Sequence, residues 1–350
     1  MIEIITLEEM EKWDNVVKSI PNYDVYYLNG YVRAFALHGD GEPVLVSFIV
    51  DDARAACVLM IRDVSNDFRF KNLIEKGVLF DAVTPYGYGG FIISGSVDFD
   101  LLSRELLREL AHRDIVSVFF RFHPVLDNAK KHDEMMQVIP LGHTIAMDLF
   151  SPDIIWNNIT SKNRNMIRKA EKQGVEILHG KGKELLGEFK KIYNATMDHD
   201  NADDYYYFKD EFYNSIDNDL KDNYEIFYAI YQGEIIAMSI MIFANRFMNY
   251  HLSGSKYEFR RLAPSNLLLY KAALWGLEQG FKTLHLGGGL GSGEDNLYKF
   301  KASFNRNSNY RFAIGKWIID ENKYNYLVSL REINDKNFNP ESNYFPLYRS

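Results

Sequence analysis

The feature that most constrains the fold is an order of elements that occurs twice. From Asp100 the chain reads DLLSRELLRELAHRDIVSVFFRFHP, in which leucines at helical spacing precede a continuous apolar run. This pattern predicts a helix followed by a buried strand. Later, SNLLLYKAALWGLEQGFKTLHLGGG repeats the order, with Gly280 where the helix should end. Strand-like segments precede both copies, at residues 43–50, 55–62, 225–231 and 234–244. The repeat predicts two α/β units.

The boundary between the units is expected near Ser151. Ser151 followed by Pro152 is a typical helix start, and 350 residues fit two domains at roughly 150 residues each. We therefore predict domains at residues 1–150 and 151–350. Gln232-Gly233 between two strand-like runs predicts a hairpin in the second domain.

Composition excludes several classes of protein. A hydrophobic fraction of 47% and a charged fraction of 25% are typical of ordered globular domains. No apolar run reaches the length of a transmembrane helix, and the acidic N-terminus MIEIITLEEMEKWD is unlike a signal peptide. Cys57 is the one cysteine, which excludes a disulfide framework. A net charge of −8 argues against broad binding of nucleic acid, DNA in particular. We expect a cytoplasmic location.

Common catalytic motifs are missing from the sequence. It contains no P-loop, no GxGxxG, no GxSxG and no HExxH motif. The nine histidines are scattered singly, so the sequence predicts no metal site.

Three basic or glycine-rich segments are candidates for a ligand-binding site. Residues 162–172 hold five basic side chains and one acid, and Ser161 before them is predicted to cap a helix. Arg164 and Arg168 there share a helix face, which suits a diphosphate as well as a solvated surface. A loop with Lys256, Arg260 and Arg261 precedes a helix that Ser265 is predicted to cap. A helix start beside arginines favours an anion site, or simply a capped helix with surface arginines.

The third segment, LHLGGGLGSGEDNLYKFKASFN, runs from a strand into glycines and then to Lys299 and Lys301. Glycines allow the backbone to approach a ligand closely, although they also serve as turns. TPYGYGG in the first half is a similar loop with two tyrosines. Its rings are expected either to line a ligand cleft or to pack at the seam between the domains.

Together these segments resemble a known family. SKNRNMIRKAEKQGV, the order strand–RRLAPSN–helix–strand–LGGG, YKFKxxF, DVYYLNGYVRAF, TPYGYGG and RFHP are similar to segments of the Fem-type peptidoglycan-bridge aminoacyl transferases and their acetyltransferase-like relatives. The resemblance covers nearly the whole chain. It implies an α/β fold of two tandem GNAT-like domains, each a mixed central sheet flanked by helices. It also implies acyl transfer to an amine, without a metal and without a covalent enzyme intermediate.

The resemblance also implies where the donor and acceptor bind. The acyl carrier would lie between two splayed parallel strands, residues 248–253 and 283–286, in the catalytic second domain. The donor-binding residues would be Ser253, Arg260, Arg261, Ser265, Asn266 and Gly287. The acceptor, on the side of the first domain, would contact Tyr86, Tyr88, Arg121, Arg164 and Arg168.

Candidate catalytic residues follow from the same resemblance. Lys301 matches the lysine that family members place near the reacting carbonyl, where it can stabilise an oxyanion. A base must take the proton of the attacking amine. Glu294, Asp295 and His251 are candidates by position.

The donor and acceptor are expected as follows. The chain lacks the long helical arm that Fem ligases use with tRNA, and it is acidic. These features favour an acyl-CoA thioester over aminoacyl-tRNA as donor, with an amino sugar or peptide amine of a cell-envelope precursor, or another small amine, as acceptor. The alternatives are an aminoacyl-tRNA-dependent Fem-type transferase and a non-enzymatic module that binds a polyanion.

Overall fold

The computed structural model describes residues 1–130 and 132–350. Its chain divides into two compact units, residues 1–141 with 312–350, and residues 142–311. In chain order the strands and α-helices are β1 (Ile2–Thr6), α1 (Met10–Lys18), α2 (Asn29–His38), β2 (Glu42–Val50), β3 (Ala53–Asp63), β4 (Phe80–Val83), β5 (Ile92–Ser94), α3 (Phe99–His112), β6 (Ile115–Arg121), β7 (Gln137–Asp148), α4 (Pro152–Asn158), α5 (Ser161–Lys172), β8 (Glu176–Gly180), α6 (Lys183–Asp200), α7 (Asp210–Asp219), β9 (Tyr224–Tyr231), β10 (Glu234–Ala244), β11 (Phe247–Ser255), α8 (Pro264–Glu278), β12 (Thr283–Gly287), α9 (Asn296–Ala302), β13 (Tyr310–Ile318) and α10 (Glu321–Asn334). Within the described ranges, no helix has both the length and the apolar character that crossing a bilayer requires.

The first unit is a mixed sheet in the order β1-β2-β3-β4-β6-β13, with β5 also paired to β3. Strands β4 and β6 are parallel, and the other pairs are antiparallel. The predicted leucine face of α3 is buried: Leu102, Leu106 and Leu110 join the sheet in one apolar core. The helix and strand predicted from the first repeat are therefore confirmed.

The second unit has the same arrangement, in the order β8-β9-β10-β11-β12-β7. Strands β11 and β12 are its parallel pair. The predicted hairpin of β9 and β10 is present, and Gln232 and Gly233 at its turn have φ angles of 51° and 81° that suit a two-residue turn. The apolar helix α8 lies in the core of this unit. The two units therefore repeat one fold.

Each unit takes its last strand from a segment that follows the other unit in sequence. Strand β7 follows the first repeat but pairs with β12, and β13 follows the second repeat but pairs with β6. Residues 312–350 consequently belong to the first unit. The domain predicted at residues 151–350 includes residues 312–350, whereas the structure assigns them to the first unit. Local sequence patterns do not show which sheet a distant strand joins.

Predicted helix starts are correct in one place and displaced in two. Ser151 caps α4, and its hydroxyl accepts a hydrogen bond from the Ile154 N–H at 3.2 Å. Helix α5 is capped by Thr160 rather than by Ser161. Helix α8 begins at Pro264 after Ala263, whose φ of 55° makes the turn, so Ser265 is not its cap.

Candidate active site

The parallel strands of the second unit pair for only part of their length. Residues 247–249 of β11 pair with residues 283–285 of β12. Beyond that point β11 continues to Ser255 along β10, while β12 continues to Gly287 along β7. The two strands therefore separate, and this is the splay that the resemblance implies.

Helix α8 starts beside the end of β11 with an uncapped N-terminus. None of the side chains that the structure describes caps it, so the positive end of its dipole and the N–H of Ser265 remain for an anion. Arg260 and Arg261 lie in the 3₁₀ turn just before the helix and are exposed. The Arg260 guanidinium lies 4.8 Å from the ring centroid of Tyr257 and 3.9 Å from the carboxylate of Asp200. Arg260 and Arg261 form the cationic part of the candidate site.

The basic helix α5 packs against the start of α8. The Lys169 ammonium donates a hydrogen bond to the carbonyl of Arg261 at 2.7 Å. The side-chain amide of Asn266 donates to Oδ1 of Asn163 at 2.8 Å. Asn163 is 2% exposed, and its Nδ2 has no partner among the described residues. The structure thus brings together the basic helix and the start of α8, which are about 100 residues apart in the chain.

Arg164 and Arg168, the candidates for binding a diphosphate, both lie beside the indole ring of Trp156. The Arg164 guanidinium donates to the carbonyls of Ile159 at 2.7 Å and Trp156 at 3.3 Å, which completes the end of α4. The Arg168 guanidinium lies 5.0 Å from the Trp156 ring centroid and bonds at 3.4 Å to Asn165. Arg168 is exposed and Arg164 is half-buried, so the Arg168 guanidinium is the more accessible of the two to a ligand.

We expect substitutions of these two arginines to have different effects. Arg164→Ala should lower the free energy of unfolding by about 1–2 kcal/mol, because two helix-end carbonyls lose their donor. Arg168→Ala should lower it by less than about 0.5 kcal/mol but raise the KM of an anionic acceptor. Denaturant titration and steady-state kinetics measure both effects. Wild-type kinetics in Arg168→Ala would make this helix face a solvated surface.

The glycine-rich segment after β12 forms a loop closed by a carboxylate. Asp295 caps α9 by accepting from the Tyr298 N–H at 2.8 Å, and it accepts from the Leu290 N–H at 3.1 Å. A Cβ on Gly289 would collide with the Asp295 carboxylate and with the carbonyl of Gly293. The position therefore requires glycine, and the loop conformation is fixed by its sequence.

Lys301 extends from α9 back to this loop. Its ammonium donates a hydrogen bond to the carbonyl of Gly288 at 2.7 Å. Burial lowers the pKa of Lys301 to about 8, and the nearby Asp295 opposes the shift. Lys301 is therefore held at the end of β12 as a cation that titrates near neutral pH. Perturbed groups of this kind are common at active sites.

The other predicted catalytic residues differ in what they can do. Burial lowers the pKa of His251 to about 3, so its imidazole is a weak proton acceptor at neutral pH. Glu294 is exposed on the glycine loop. Asp295 has a lowered pKa because its carboxylate accepts the N–H of Tyr298 and of Leu290. The hydroxyl of Ser253 is engaged by the Tyr250 hydroxyl at 2.7 Å, and Gly287 ends β12 with a φ of 78°.

The predicted acceptor-binding residues of the first unit, Tyr86, Tyr88 and Arg121, lie in or beside the loop at residues 84–90. The Tyr86 ring stacks on Phe35 with centroids 5.2 Å apart. Arg121 donates from Nη1 to the Thr84 carbonyl at 3.2 Å. Burial raises the pKa of Tyr88, whose ring packs edge-on against Tyr26. Both tyrosines are half-buried, so their rings contribute to packing as well as to a surface.

A buried polar pair holds this region. Nε2 of His123 lies 2.9 Å from Oδ2 of Asp24, and both side chains are fully buried. Nδ1 of His123 accepts from the Leu126 N–H at 3.2 Å, which places the ring proton on Nε2, toward Asp24. Asp24 and His123 lie in the motifs DVYYLNGYVRAF and RFHP, but nothing local predicts that they pair. Asn163 and Lys169 were not predicted as part of the site, because their partners lie about 100 residues away in the chain.

Comparisons with known proteins agree with this geometry. Residues 160–301 match the family model described as an acetyltransferase (GNAT) domain. A search of curated proteins finds no match. The crystal structure of FemX superposes with a TM-score of 0.68 at 14% identity, over 93% of this chain and 99% of FemX. L-PGS from Bacillus licheniformis superposes with a TM-score of 0.54 at 14% identity, over 95% of this chain and 98% of L-PGS.

A conserved protein of unknown function from Bacteroides thetaiotaomicron VPI-5482 has a TM-score of 0.60 at 11% identity, over 91% of this chain and 100% of that protein. At these identities the superpositions describe the fold. The matched segment contains the splayed strands, the start of α8 and Lys301, and its match favours an enzyme over a module that only binds a polyanion. The match over residues 160–301 supports an acyltransferase enzyme. The chain as a whole has a tandem GNAT-type fold.

Proposed function

We propose that the protein transfers an acyl group from an acyl-CoA thioester to the amine of a small molecule or cell-envelope precursor, such as an amino sugar or a peptide amine. The observation that carries the proposal is the uncapped start of α8, with Arg260 and Arg261 before it. It lies at the end of a strand that separates from its parallel neighbour. The diphosphate of CoA would fit the start of α8, and its extended thioester arm would fit between the separating strands.

The second unit would bind the donor and carry out the chemistry, while the first unit would serve the acceptor. The N–H of Ser265, with Arg260, Arg261 and the amide of Asn266, would hold the donor phosphates. Ser253 and Gly287 would line the two strands along which the carrier lies. In the first unit, Tyr86, Tyr88 and Arg121 are the proposed acceptor-binding residues. In the second unit, the proposed residue is Arg168.

The reaction would be direct attack of a neutral amine on the thioester carbonyl. A C–N bond forms, the C–S bond breaks, and CoA leaves as the thiol after taking a proton. A backbone N–H of β11 and the Lys301 cation would stabilise the oxyanion. The ammonium form of the substrate must first lose a proton to give this neutral amine. Glu294, an exposed carboxylate on the glycine-rich loop, would accept that proton.

An aminoacyl-tRNA donor is the second candidate. The superposition on FemX over 93% of the chain favours it, because the Fem-type resemblance includes tRNA-dependent transfer. The net charge of −8 opposes extensive contact with a polyanion of that size.

The proposed donor also implies a location. Because acyl-CoA is held in the cytoplasm, we expect the protein to work there.

Release of free thiol from acetyl-CoA in the presence of an amine panel tests the proposed donor. Amine-dependent thiol release supports it. Transfer from aminoacyl-tRNA without any thiol release from acyl-CoA would replace the first candidate by the second. Native mass spectrometry of the purified protein gives an independent check through a CoA adduct.

The placement of the donor gives a sharper prediction. Arg260→Ala with Arg261→Ala should weaken acyl-CoA binding by about 1.5–3 kcal/mol for each charged hydrogen bond that is removed. Lys256→Ala is a matched control in the same loop, because its ammonium is already paired with Glu234 at 2.6 Å. Calorimetry measures the three affinities. Equal affinity in wild type and the double variant would contradict the placement.

A further inference from the structure

Asn163 is a polar residue at an apolar position of α5. The helix buries Asn163, Ile167 and Ala170, and this spacing is that of a helix face packed on a core. Asn163 is 2% exposed, and its Nδ2 has no partner among the described residues. A buried polar group without a partner costs stability. Packing alone would therefore favour leucine, whose side chain has the same number of heavy atoms and the same branching.

The oxygen of the same amide does have a partner. Oδ1 of Asn163 accepts a hydrogen bond from Nδ2 of Asn266 at 2.8 Å. Asn266 is half-buried and lies in the first turn of α8. Its amide carries two N–H donors. Asn163 holds one of them, which leaves the other for a ligand at the start of the helix.

Helix α5 also holds the turn that precedes α8. The Lys169 ammonium donates to the carbonyl of Arg261 at 2.7 Å. Ala263, two residues later, has a φ of 55°, which is uncommon for a residue other than glycine. Such a conformation persists where its surroundings fix the backbone. One helix therefore fixes both the backbone before α8 and the Asn266 side chain within it.

We infer that Asn163 is a positioning residue, which fixes the side-chain amide of Asn266 in the orientation that binds the donor phosphates. The inference rests on the proposed function. Asn163 is too buried to touch the donor, so it acts through Asn266. Without the Oδ1 acceptor, the half-buried Asn266 side chain takes other rotamers, and the donor must order it on binding. The protein thus keeps a group that lowers its stability because that group prepares the binding site.

Asn163→Leu separates positioning from packing. Calorimetry on the full chain should show acetyl-CoA binding weakened about fivefold. The melting temperature should be unchanged or raised, because the acceptor and the unsatisfied donor are removed together. Asn165→Leu changes an exposed asparagine of the same helix and, as the matched control, should keep wild-type affinity.

Asn163→Ala repeats the measurement with a smaller side chain, in case leucine overpacks the site. It removes the same acceptor and should weaken acetyl-CoA binding to a similar extent. Wild-type affinity in the folded Asn163 variants would overturn the inference. A lowered melting temperature together with wild-type affinity would make Asn163 a packing residue only.

Asn266→Ala distinguishes failure of this inference from failure of the proposed donor site. The substitution should itself weaken acetyl-CoA binding, and Asn163→Leu should add nothing further to it, because both changes remove one interaction. Additive effects would overturn the positioning role and leave the donor site in place. Wild-type affinity in Asn266→Ala would contradict the placement of the donor phosphates, and the inference with it.

Discussion

Lys301→Met should lower kcat on the order of a hundredfold and leave KM for the acyl donor nearly unchanged. The ammonium is held against the Gly288 carbonyl at the end of β12, next to the gap between the two splayed strands. A cation there would act on the charge that develops on the carbonyl oxygen only in the transition state. Methionine keeps the length of the side chain and removes the charge.

The pH dependence gives a second measurement of the same role. Because the pKa of Lys301 is lowered to about 8, the cation is present below that pH and is lost above it. We expect wild-type kcat to fall as pH rises through this value. Lys301→Arg should keep much of the activity without this fall, because arginine stays charged throughout.

Lys299 provides the matched control on the same helix. It is an exposed lysine of α9, and Lys299→Met should leave kcat and KM unchanged. A rise in KM with constant kcat in Lys301→Met would make Lys301 an anchor for donor or acceptor instead. Unchanged kinetics, with the fold intact by circular dichroism, would remove Lys301 from the site.

Local sequence patterns predicted the elements that depend on near neighbours. The turn at Gln232 and Gly233 and the cap at Ser151 involve residues within a few positions of each other, so their chemistry is readable from the sequence. The leucine face of α3 is equally local.

Features that depend on distant contacts could not be predicted. Ser265 has the right residue type for a helix cap, but the cap position is Ala263, two residues earlier. Arg164 has the right charge for a diphosphate, yet carbonyls at the end of α4 occupy its guanidinium. Neither outcome is visible in residue type or spacing, because each depends on where another segment folds.

The placement of residues 312–350 is a further long-range effect, and its basis is a buried cluster of charges. The Asp81 carboxylate on β4 is 0% exposed. It is paired with Arg62 at 2.8 Å and with Arg349 at 2.5 Å. The Tyr348 hydroxyl donates to it at 3.1 Å. This cluster fixes the last residues of the chain to the first unit.

Arg349→Met should lower the free energy of unfolding by about 3 kcal/mol, because among the described residues it leaves the buried Asp81 carboxylate paired with Arg62 alone. Lys12→Met, which removes an exposed partner of Glu3, should have no measurable effect and serves as the control. Denaturant titration measures both variants. Equal stability of Arg349→Met and wild type would mean that the cluster does not anchor the segment.

The same cluster should make the stability depend on pH in acid. Burial by itself raises the pKa of Asp81, but Arg62 and Arg349 outweigh it and hold the pKa below its ordinary value of 3.8. A carboxyl with a lowered pKa in the folded state stabilises the fold above its unfolded pKa, and this contribution is lost as pH falls through the folded value. The stability difference between wild type and Arg349→Met should therefore be full at neutral pH and should shrink below about pH 4. A difference that stays constant down to the acid transition would show that packing of the Arg349 side chain, rather than its charge on Asp81, anchors the end of the chain.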